Sequence, residues 1–156
     1  MPDPEEQDFT AMIRAADARG GWNHAMGLTV LRATRAEVVA EVEVGDVHRQ
    51  PYGLVHGGVY AGVIEAVASM GAAIHAMSAG RGVVGLENHT SFLRAVRAGK
   101  LRVVARPLAC GRTSHVWEGT VHDAEGRLAA TGRVRLLVLE AGAQVAGAPA
   151  AVPGSG

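Results

Sequence analysis

The sequence of 156 residues has the usual length of one domain, and its 15 basic and 15 acidic side chains leave no net charge. Aromatic residues make up 4% of the chain, so it lacks both the positive field and the stacking surfaces of nucleic-acid-binding proteins. Hydrophobic residues make up 48%, which is enough for a buried core and excludes a chain that is disordered throughout.

The first segment, residues 1–24, is predicted to be helical. Asp3, Pro4 and Glu6 have the residue types that favour the N-cap, first and third positions of a helix. Apolar residues then recur at the spacing of one helix face, at Phe9, Met12, Ile13 and Ala16. The pattern predicts a short amphipathic helix packed on the outside of the main domain.

Two features of the sequence predict a cytoplasmic location. The acidic N-terminus has no apolar core of the kind found in signal peptides. The single cysteine, Cys110, cannot form an internal disulfide, which suits a reducing compartment, and it is expected to be a small buried hydrophobe.

Residues 25–140 are predicted to form one domain in which two strands, a long apolar helix and four more strands follow each other. The helix begins at Gly57 and ends at Gly80, after a loop without periodicity. The strands are expected at Thr29–Leu31, Val38–Val44, Val83–Leu93, Leu101–Arg106, Thr113–His122 and Arg127–Leu139. A turn at 123–126 joins the last two strands, with Gly126 at positive φ.

This element order predicts an α+β fold. An apolar helix of this length must be covered, so an antiparallel sheet of about six strands is expected to curl around it. Residues 141–156, which are rich in Ala, Gly and Pro, are predicted to be a disordered tail.

Glu65 is the only charged acid or base between Gly57 and Gly80. The stretch is long enough to span a membrane, but the central glutamate and the lack of flanking aromatic residues favour a buried core helix. Burying an unpaired carboxylate costs several kcal/mol, so Glu65 is interpreted as catalytic. The alternative is a solvent-facing seam or a structural ion pair. Ser69, one turn later on the same face, is able to hydrogen-bond the carboxylate or a water.

The start of this helix is the second candidate feature. The first amides of a helix have no internal partner, and glycines at positions 57 and 58 permit close approach of a ligand oxygen. This is the geometry of an oxyanion hole. Eight residues of helix rise about 12 Å, so Glu65 cannot reach a carbonyl at its own Gly57 amide. If both groups act on one carbonyl, two antiparallel copies of the helix must share each site in a homodimer.

The segment 49–60, RQPYGLVHGGVY, followed by Glu65 and Ser69, resembles the hotdog-fold acyl-CoA thioesterases. Within them it is most similar to the Arthrobacter-type 4-hydroxybenzoyl-CoA and phenylacetate-pathway branch. The similarity continues through NHTSFLR at 88–94 and GRT at 111–113. It extends over about residues 25–138 and implies the hotdog fold.

The resemblance implies a role for each matching residue. Glu65 matches the catalytic carboxylate, as nucleophile or as general base towards water. The Gly57 amide matches the donor that polarises the thioester carbonyl, and Gln50 assists it. Ser69 stands where that branch has threonine and keeps the hydroxyl that holds a water. His56 matches a residue that supports the loop.

The same resemblance implies where coenzyme A and the acyl group bind. The implied contacts are Gly58, Tyr60, Asn88, Thr90, Arg94, Arg112 and Thr113, with the arginines near the phosphates. Arg112 departs from the branch, which has a small hydroxyl residue there. No metal or cofactor is implied, because coenzyme A is part of the substrate. The expected partners are the acyl-CoA and further copies of the chain, as a dimer or a dimer of dimers, without nucleic acid or membrane.

Three functions fit these residues. The first is hydrolysis of an acyl-CoA, with aryl groups such as hydroxybenzoyl or phenylacetyl favoured. The second is non-catalytic binding of acyl-CoA. The third is hydration or dehydration on the same fold, for which His56 is the only histidine near Glu65 in the sequence. The histidines show no metal-binding motif, and no serine lies in a G-x-S-x-G motif.

Overall fold

The computed structural model describes residues 4–150, so the predicted N-cap Asp3 and the last six residues of the predicted tail lie outside the described residues. The helices are α1 (Thr10–Asp17), α2 (Trp22–Ala25) and α3 (Gly57–Met77). The strands are β1 (Thr29–Ala33), β2 (Val38–Glu43), β3 (Val83–Phe92), β4 (Lys100–Cys110), β5 (Ser114–His122), β6 (Leu128–Val138), β7 (Gln144–Val145) and β8 (Ala148–Pro149).

Six of the strands form one antiparallel sheet in the order β1-β2-β4-β5-β6-β3. Strands β4, β5 and β6 follow each other as a meander, whereas β3 pairs with β6 and lies at the edge of the sheet. The connection from β2 to β3 is α3, which the sheet wraps. The predicted fold, a six-stranded antiparallel sheet around one long helix, is confirmed.

Helix α3 packs its apolar side against the concave face of the sheet. Val63, Val67 and Ile74 are completely buried, and Gly71 lies against the ring of Trp117, which is also completely buried. By length and composition α3 is able to span a membrane, but more than half of its most apolar window is buried inside the protein. It is the core helix, as predicted.

One side of α3 is not covered by the sheet. The residues on this side are half-buried rather than buried, namely Ala61, Gly62, Glu65, Ala66, Ser69 and Ala73. The N-terminal segment covers part of it, because the ring of Trp22 lies against Gly62. The rest of this uncovered face remains accessible in the single chain.

The predicted start of the first helix is wrong. Residues Pro4–Glu6 form only one turn of 3-10 helix, and α1 begins at Thr10. The start is fixed there because Asp8 Oδ1 accepts a hydrogen bond from the Thr10 amide at 2.8 Å. The Thr10 hydroxyl in turn accepts one from the Ala33 amide at 2.9 Å, which ties the helix to the end of β1.

Two further expectations differ from the structure. Cys110 is exposed, because it lies at the end of β4 beyond the part of the strand that faces α3. Within the predicted tail, β7 and β8 form a short antiparallel hairpin. The Ala150 amide closes this hairpin by donating to the Ala143 carbonyl at 3.0 Å.

Candidate active site

Glu65 lies on the uncovered face of α3, opposite the edge strand β3. Its side chain is half-buried, so the expectation of a carboxylate sunk in the core is wrong for the single chain. The reason is the sheet order. The six-stranded sheet ends at β3, and within residues 4–150 no further strand of this sheet lies beyond it on this side of the helix. An acid on this face is accessible to a ligand without being fully in solvent.

Asn88 on β3 contacts the carboxylate directly. Its side-chain Nδ2 donates to Glu65 Oε2 at 3.1 Å and to the Ala61 carbonyl at 2.9 Å. The Thr90 hydroxyl donates to Asn88 Oδ1 at 2.7 Å. The resemblance placed Asn88 and Thr90 at coenzyme A, whereas in the structure their polar groups are directed to Glu65 and to each other.

The first amide of α3, eight residues before Glu65, is available at the N-terminus of the helix. His56 is the N-cap, and its Nδ1 accepts a hydrogen bond from the Gly58 amide at 2.8 Å. The Val59 amide donates to the His56 carbonyl at 2.9 Å. Within residues 4–150 the Gly57 amide has no hydrogen-bond partner, so of these first amides it is the one free to bind a ligand oxygen.

A cavity of about 250 Å³ opens beside Gly57. Its walls are formed by the end of the preceding loop, the first turn of α3 and the segment after β3, and include Leu54, Val55, Tyr60, Phe92, Leu93, Arg94 and Ala95. Tyr60 is almost completely buried, and burial raises the pKa of its hydroxyl, with a smaller contribution from Asp123. Tyr60 forms one wall of this cavity.

The loop before α3 is held by a residue that the sequence analysis did not single out. His48 is buried, its Nδ1 accepts from the Gly45 amide at 2.8 Å, and its Nε2 donates to the Met26 carbonyl at 2.8 Å. The His48 carbonyl accepts from the His56 amide at 2.8 Å. No periodicity or motif distinguishes His48 from the other histidines. Gln50 lies in the same loop, and its Oε1 accepts from the Tyr52 amide.

Ser69 lines a second, larger cavity of about 590 Å³ on the uncovered face. Ala66, Met70 and Ala73 are its other residues on α3, and α1, α2, the start of β3 and the C-terminal hairpin form the remaining walls. The lining is mostly apolar, and the volume is within the range of about 300–1,000 Å³ that is usual for small-molecule sites. Glu65 precedes these helix residues on the same side of α3.

The two arginines expected at the coenzyme A phosphates do not lie together in one chain. Arg94 follows the end of β3 and lines the cavity beside Gly57. Arg112 lies beyond the start of β3, where its carbonyl accepts from Arg81 Nη1 at 2.7 Å. Ten residues of strand separate these positions by roughly 30 Å. Thr113, next to Arg112, is exposed, and its carbonyl accepts from the Val138 amide.

The distances within one chain also bear on two other kinds of site, a histidine–carboxylate pair for hydration and a metal site. Glu65 lies eight residues from Gly57 and nine from His56, so the helical rise separates it from both by about 12 Å or more. His56 and Glu65 therefore do not form a histidine–carboxylate pair for hydration within one chain. Across residues 4–150, no cluster of three or more His, Cys, Asp and Glu side chains is arranged to hold a metal ion.

Comparisons with known proteins agree with this architecture. The proofreading thioesterase EntH of Klebsiella pneumoniae is 37% identical over 114 residues, which are 73% of this chain and 82% of that protein. The crystal structure of a thioesterase from Haemophilus influenzae matches with a TM-score of 0.80 and 26% identity over 88% of this chain and 96% of that one. A mutant thioesterase from Pseudomonas aeruginosa matches with a TM-score of 0.79 and 25% identity over 83% and 93% of the two chains.

A family model gives the same result. The model described as the thioesterase superfamily matches residues 52–130, a range that contains α3, β3, β4 and β5 and both candidate groups, Gly57 and Glu65. Together with the sheet wrapped around a single helix, this match shows that the chain belongs to the thioesterase superfamily and has its hotdog fold.

Proposed function

We propose that this protein hydrolyses acyl-CoA thioesters to the free acid and coenzyme A, and that Glu65 is the catalytic carboxylate. The observation that carries the proposal is the position of Glu65. It is an acid on the accessible face of a mostly apolar helix, and Ala66 and Ser69, which follow it on this face, line an apolar cavity of about 590 Å³. Membership of the thioesterase superfamily supports thioester hydrolysis as the reaction.

The Gly57 amide is the proposed oxyanion donor. An unpaired amide at a helix N-terminus polarises the thioester carbonyl and stabilises the tetrahedral intermediate more strongly than the substrate. Glu65 then either attacks the carbonyl carbon, which expels the coenzyme A thiolate and leaves an anhydride that water hydrolyses, or removes a proton from the water that attacks the carbonyl. In the second route the tetrahedral intermediate collapses with cleavage of the C–S bond, and the thiolate takes up a proton. Gln50 assists in the loop, Ser69 holds the water, and His56 keeps the first turn of α3 in place.

Each site is proposed to take Glu65 from one chain and Gly57 from a second. The separation of about 12 Å along α3 requires this if both act on one carbonyl. The edge strand β3 and its end expose large apolar side chains, since Leu86, Phe92 and Leu93 are each about half exposed. An unpaired strand edge with such side chains is a surface that a second copy covers well. A pair of such dimers is the proposed larger assembly.

Two regions of the protein are proposed to bind the substrate, one the coenzyme A part and the other the acyl group. Arg94, Gly58 and Tyr60 lie near the Gly57 cavity and are proposed to contact coenzyme A, with Arg112 and Thr113 of the second chain completing the site. The apolar cavity beside Ser69 is proposed to take the acyl group, with an aryl group favoured, as in the 4-hydroxybenzoyl-CoA and phenylacetate-pathway branch. No other cofactor is needed, and a cytoplasmic location fits the single cysteine.

The test is a panel of aryl-, phenylacetyl- and alkyl-CoA thioesters, with the released thiol followed by a thiol-reactive dye. We expect turnover of at least one arylacyl thioester and a fall of about 100-fold or more in Glu65→Ala and Glu65→Gln. Glu87→Gln is the matched control. Its carboxylate pairs with Arg135 at 3.2 Å on the outer face of β3, away from α3, and should leave the rate unchanged.

Three outcomes contradict the proposal. Near-native hydrolysis by Glu65→Ala shows that another group is catalytic. Calorimetric binding of acyl-CoA without any thiol release shows a binding protein, and water addition to an enoyl-CoA, followed by loss of its conjugated absorbance, shows a hydratase.

A further inference from the structure

We infer that Asn88 is a positioning residue for Glu65, and that a β-bulge in β3 places it there. The inference rests on the proposed function and concerns how the carboxylate is aimed. It starts from the contact already described, in which Asn88 Nδ2 lies 3.1 Å from Glu65 Oε2.

The bulge puts two residues of β3 on the same face. The pairing of β3 with β6 runs from Gly85 opposite Leu136 to Glu87 opposite Arg135, so Leu86 is an extra residue without a partner. Residues three apart in a regular strand point to opposite faces, and one inserted residue reverses this. Gly85 and Asn88 therefore both face α3.

Both residues on this face contact the carboxylate. A Cβ on Gly85 would collide with Glu65 Oε1, so the absence of a side chain there leaves room for that oxygen. Asn88 holds the other oxygen, Oε2. Glu65 Oε1 has no hydrogen-bond partner within residues 4–150, so it is the oxygen available to attack a carbonyl or accept a proton.

The orientation of the Asn88 amide is fixed by chemistry. The Ala61 carbonyl and the Glu65 carboxylate are both acceptors, so the group that faces them must be the NH₂. The amide oxygen then faces Thr90, whose hydroxyl donates to it at 2.7 Å. Both hydrogens of the amide are used. The Asn88 amide is thus hydrogen-bonded to the backbone of α3, to Thr90 on β3 and to the Glu65 carboxylate. These bonds hold the flexible Glu65 side chain in one rotamer.

This role differs from the coenzyme A contact that the resemblance implied for Asn88. A positioning residue acts on the chemical step, so its loss lowers kcat and leaves KM nearly unchanged. A contact to the nucleotide part of coenzyme A raises KM, and only for substrates that contain the nucleotide. N-acetylcysteamine thioesters keep the acyl group and the sulfur but lack the nucleotide, and they separate the two roles.

The experiment measures kcat and KM for Asn88→Ala, Asn88→Asp and Thr90→Val on one acyl-CoA and on its N-acetylcysteamine thioester. We expect Asn88→Ala to lower kcat about 10- to 100-fold on both substrates, with KM changed less than about twofold. Asn88→Asp keeps the shape but replaces the donor by a like charge, so its loss should be at least as large. Thr90→Val keeps the volume and removes only the orienting hydroxyl, so we expect a loss of a few-fold.

A double-mutant cycle adds a readout that a general structural defect would not give. In the Glu65→Ala background, Asn88→Ala should cause no further loss, because the group that it positions is gone. An additive loss in the double variant, or a rise in KM confined to the acyl-CoA, overturns the inference.

Failure of this inference and failure of the proposed function are distinguishable. If the wild-type chain hydrolyses thioesters in a Glu65-dependent way while Asn88→Ala keeps the full kcat, only the inference is wrong. A crystal structure of Asn88→Ala tests it without turnover. We expect the Glu65 carboxylate to leave its place against Gly85, and an unchanged carboxylate overturns the inference even if no substrate is found.

Discussion

The ring of Phe92 lies directly against the Cα atom of Gly57, so that a Cβ on Gly57 would meet Phe92 Cε2 at 2.5 Å. The contact joins the end of β3 to the first turn of α3. The ring also packs against Tyr60, with ring centroids 6.0 Å apart. Position 57 therefore has space for a ligand oxygen at its amide but no space for a side chain.

This contact predicts the behaviour of substitutions at position 57. Gly57→Val should lower kcat/KM by about 100-fold, because its side chain obstructs the carbonyl that the amide binds. The exposed Phe92 ring is able to rotate away from position 57, so the variant should still fold. Thermal unfolding of the variant measures this. Gly57→Ala combined with Phe92→Ala is the control for steric displacement of the ring. Recovery of the wild-type rate in that double variant would assign the defect to Phe92 rather than to the blocked amide.

Shared sites predict complementation between two inactive chains. Glu65→Ala and Gly57→Val, unfolded together and refolded, should regain about one quarter of the wild-type activity, because half of the dimers are mixed and each of these has one intact site. Each variant refolded alone is the control. Differently tagged chains verify that mixed dimers have formed. If mixed dimers form but the activity does not rise on mixing, each site is built from one chain.

The glycines of α3 predict opposite effects on stability. Gly71→Ala forces a methyl group into the completely buried Trp117 ring and should lower the free energy of unfolding by about 1–2 kcal/mol, after a gain from the better helix propensity of alanine. Gly62→Ala meets Trp22, which is 45% exposed and able to move, so the gain should dominate and leave stability equal or higher. Urea unfolding measures both. Equal losses would contradict the packing difference.

His115 predicts a loss of stability in mild acid. Its burial, and after it the neighbouring His75, lowers the pKa of His115, with a smaller contribution from Arg81. Below about pH 6.5 the unfolded chain therefore binds a proton that the folded chain resists binding, so the free energy of unfolding falls as the pH falls.

The measurement is urea unfolding of the wild type and of His115→Leu at pH 7.5, 6.5 and 5.5. The leucine variant cannot take up this proton, so we expect its stability to depend less on pH over this interval. Equal slopes for the two proteins would show that His115 does not contribute.

The sequence alone determined the elements and the candidate groups, because both follow from short-range patterns. Segments of β-favouring residues predicted the six strands, and the long apolar run predicted α3 from its first residue. Gly126 has φ +77° in the turn between β5 and β6, as predicted, because the requirement of a tight turn is local. Glu65 and Gly57 were found for the same reason: a charge within an apolar run and a glycine at a helix start are visible in the sequence.

The tertiary structure decided what surrounds those groups. Asn88 meets Glu65 only because β3 joins the sheet at its edge beside β6 and because Leu86 is bulged out of the pairing, and neither fact follows from local pattern. The same sheet order leaves Glu65 half-buried instead of buried. A side chain's partners depend on which distant segments pack together, and that is set by the balance of contacts over the whole chain rather than by any one segment of it.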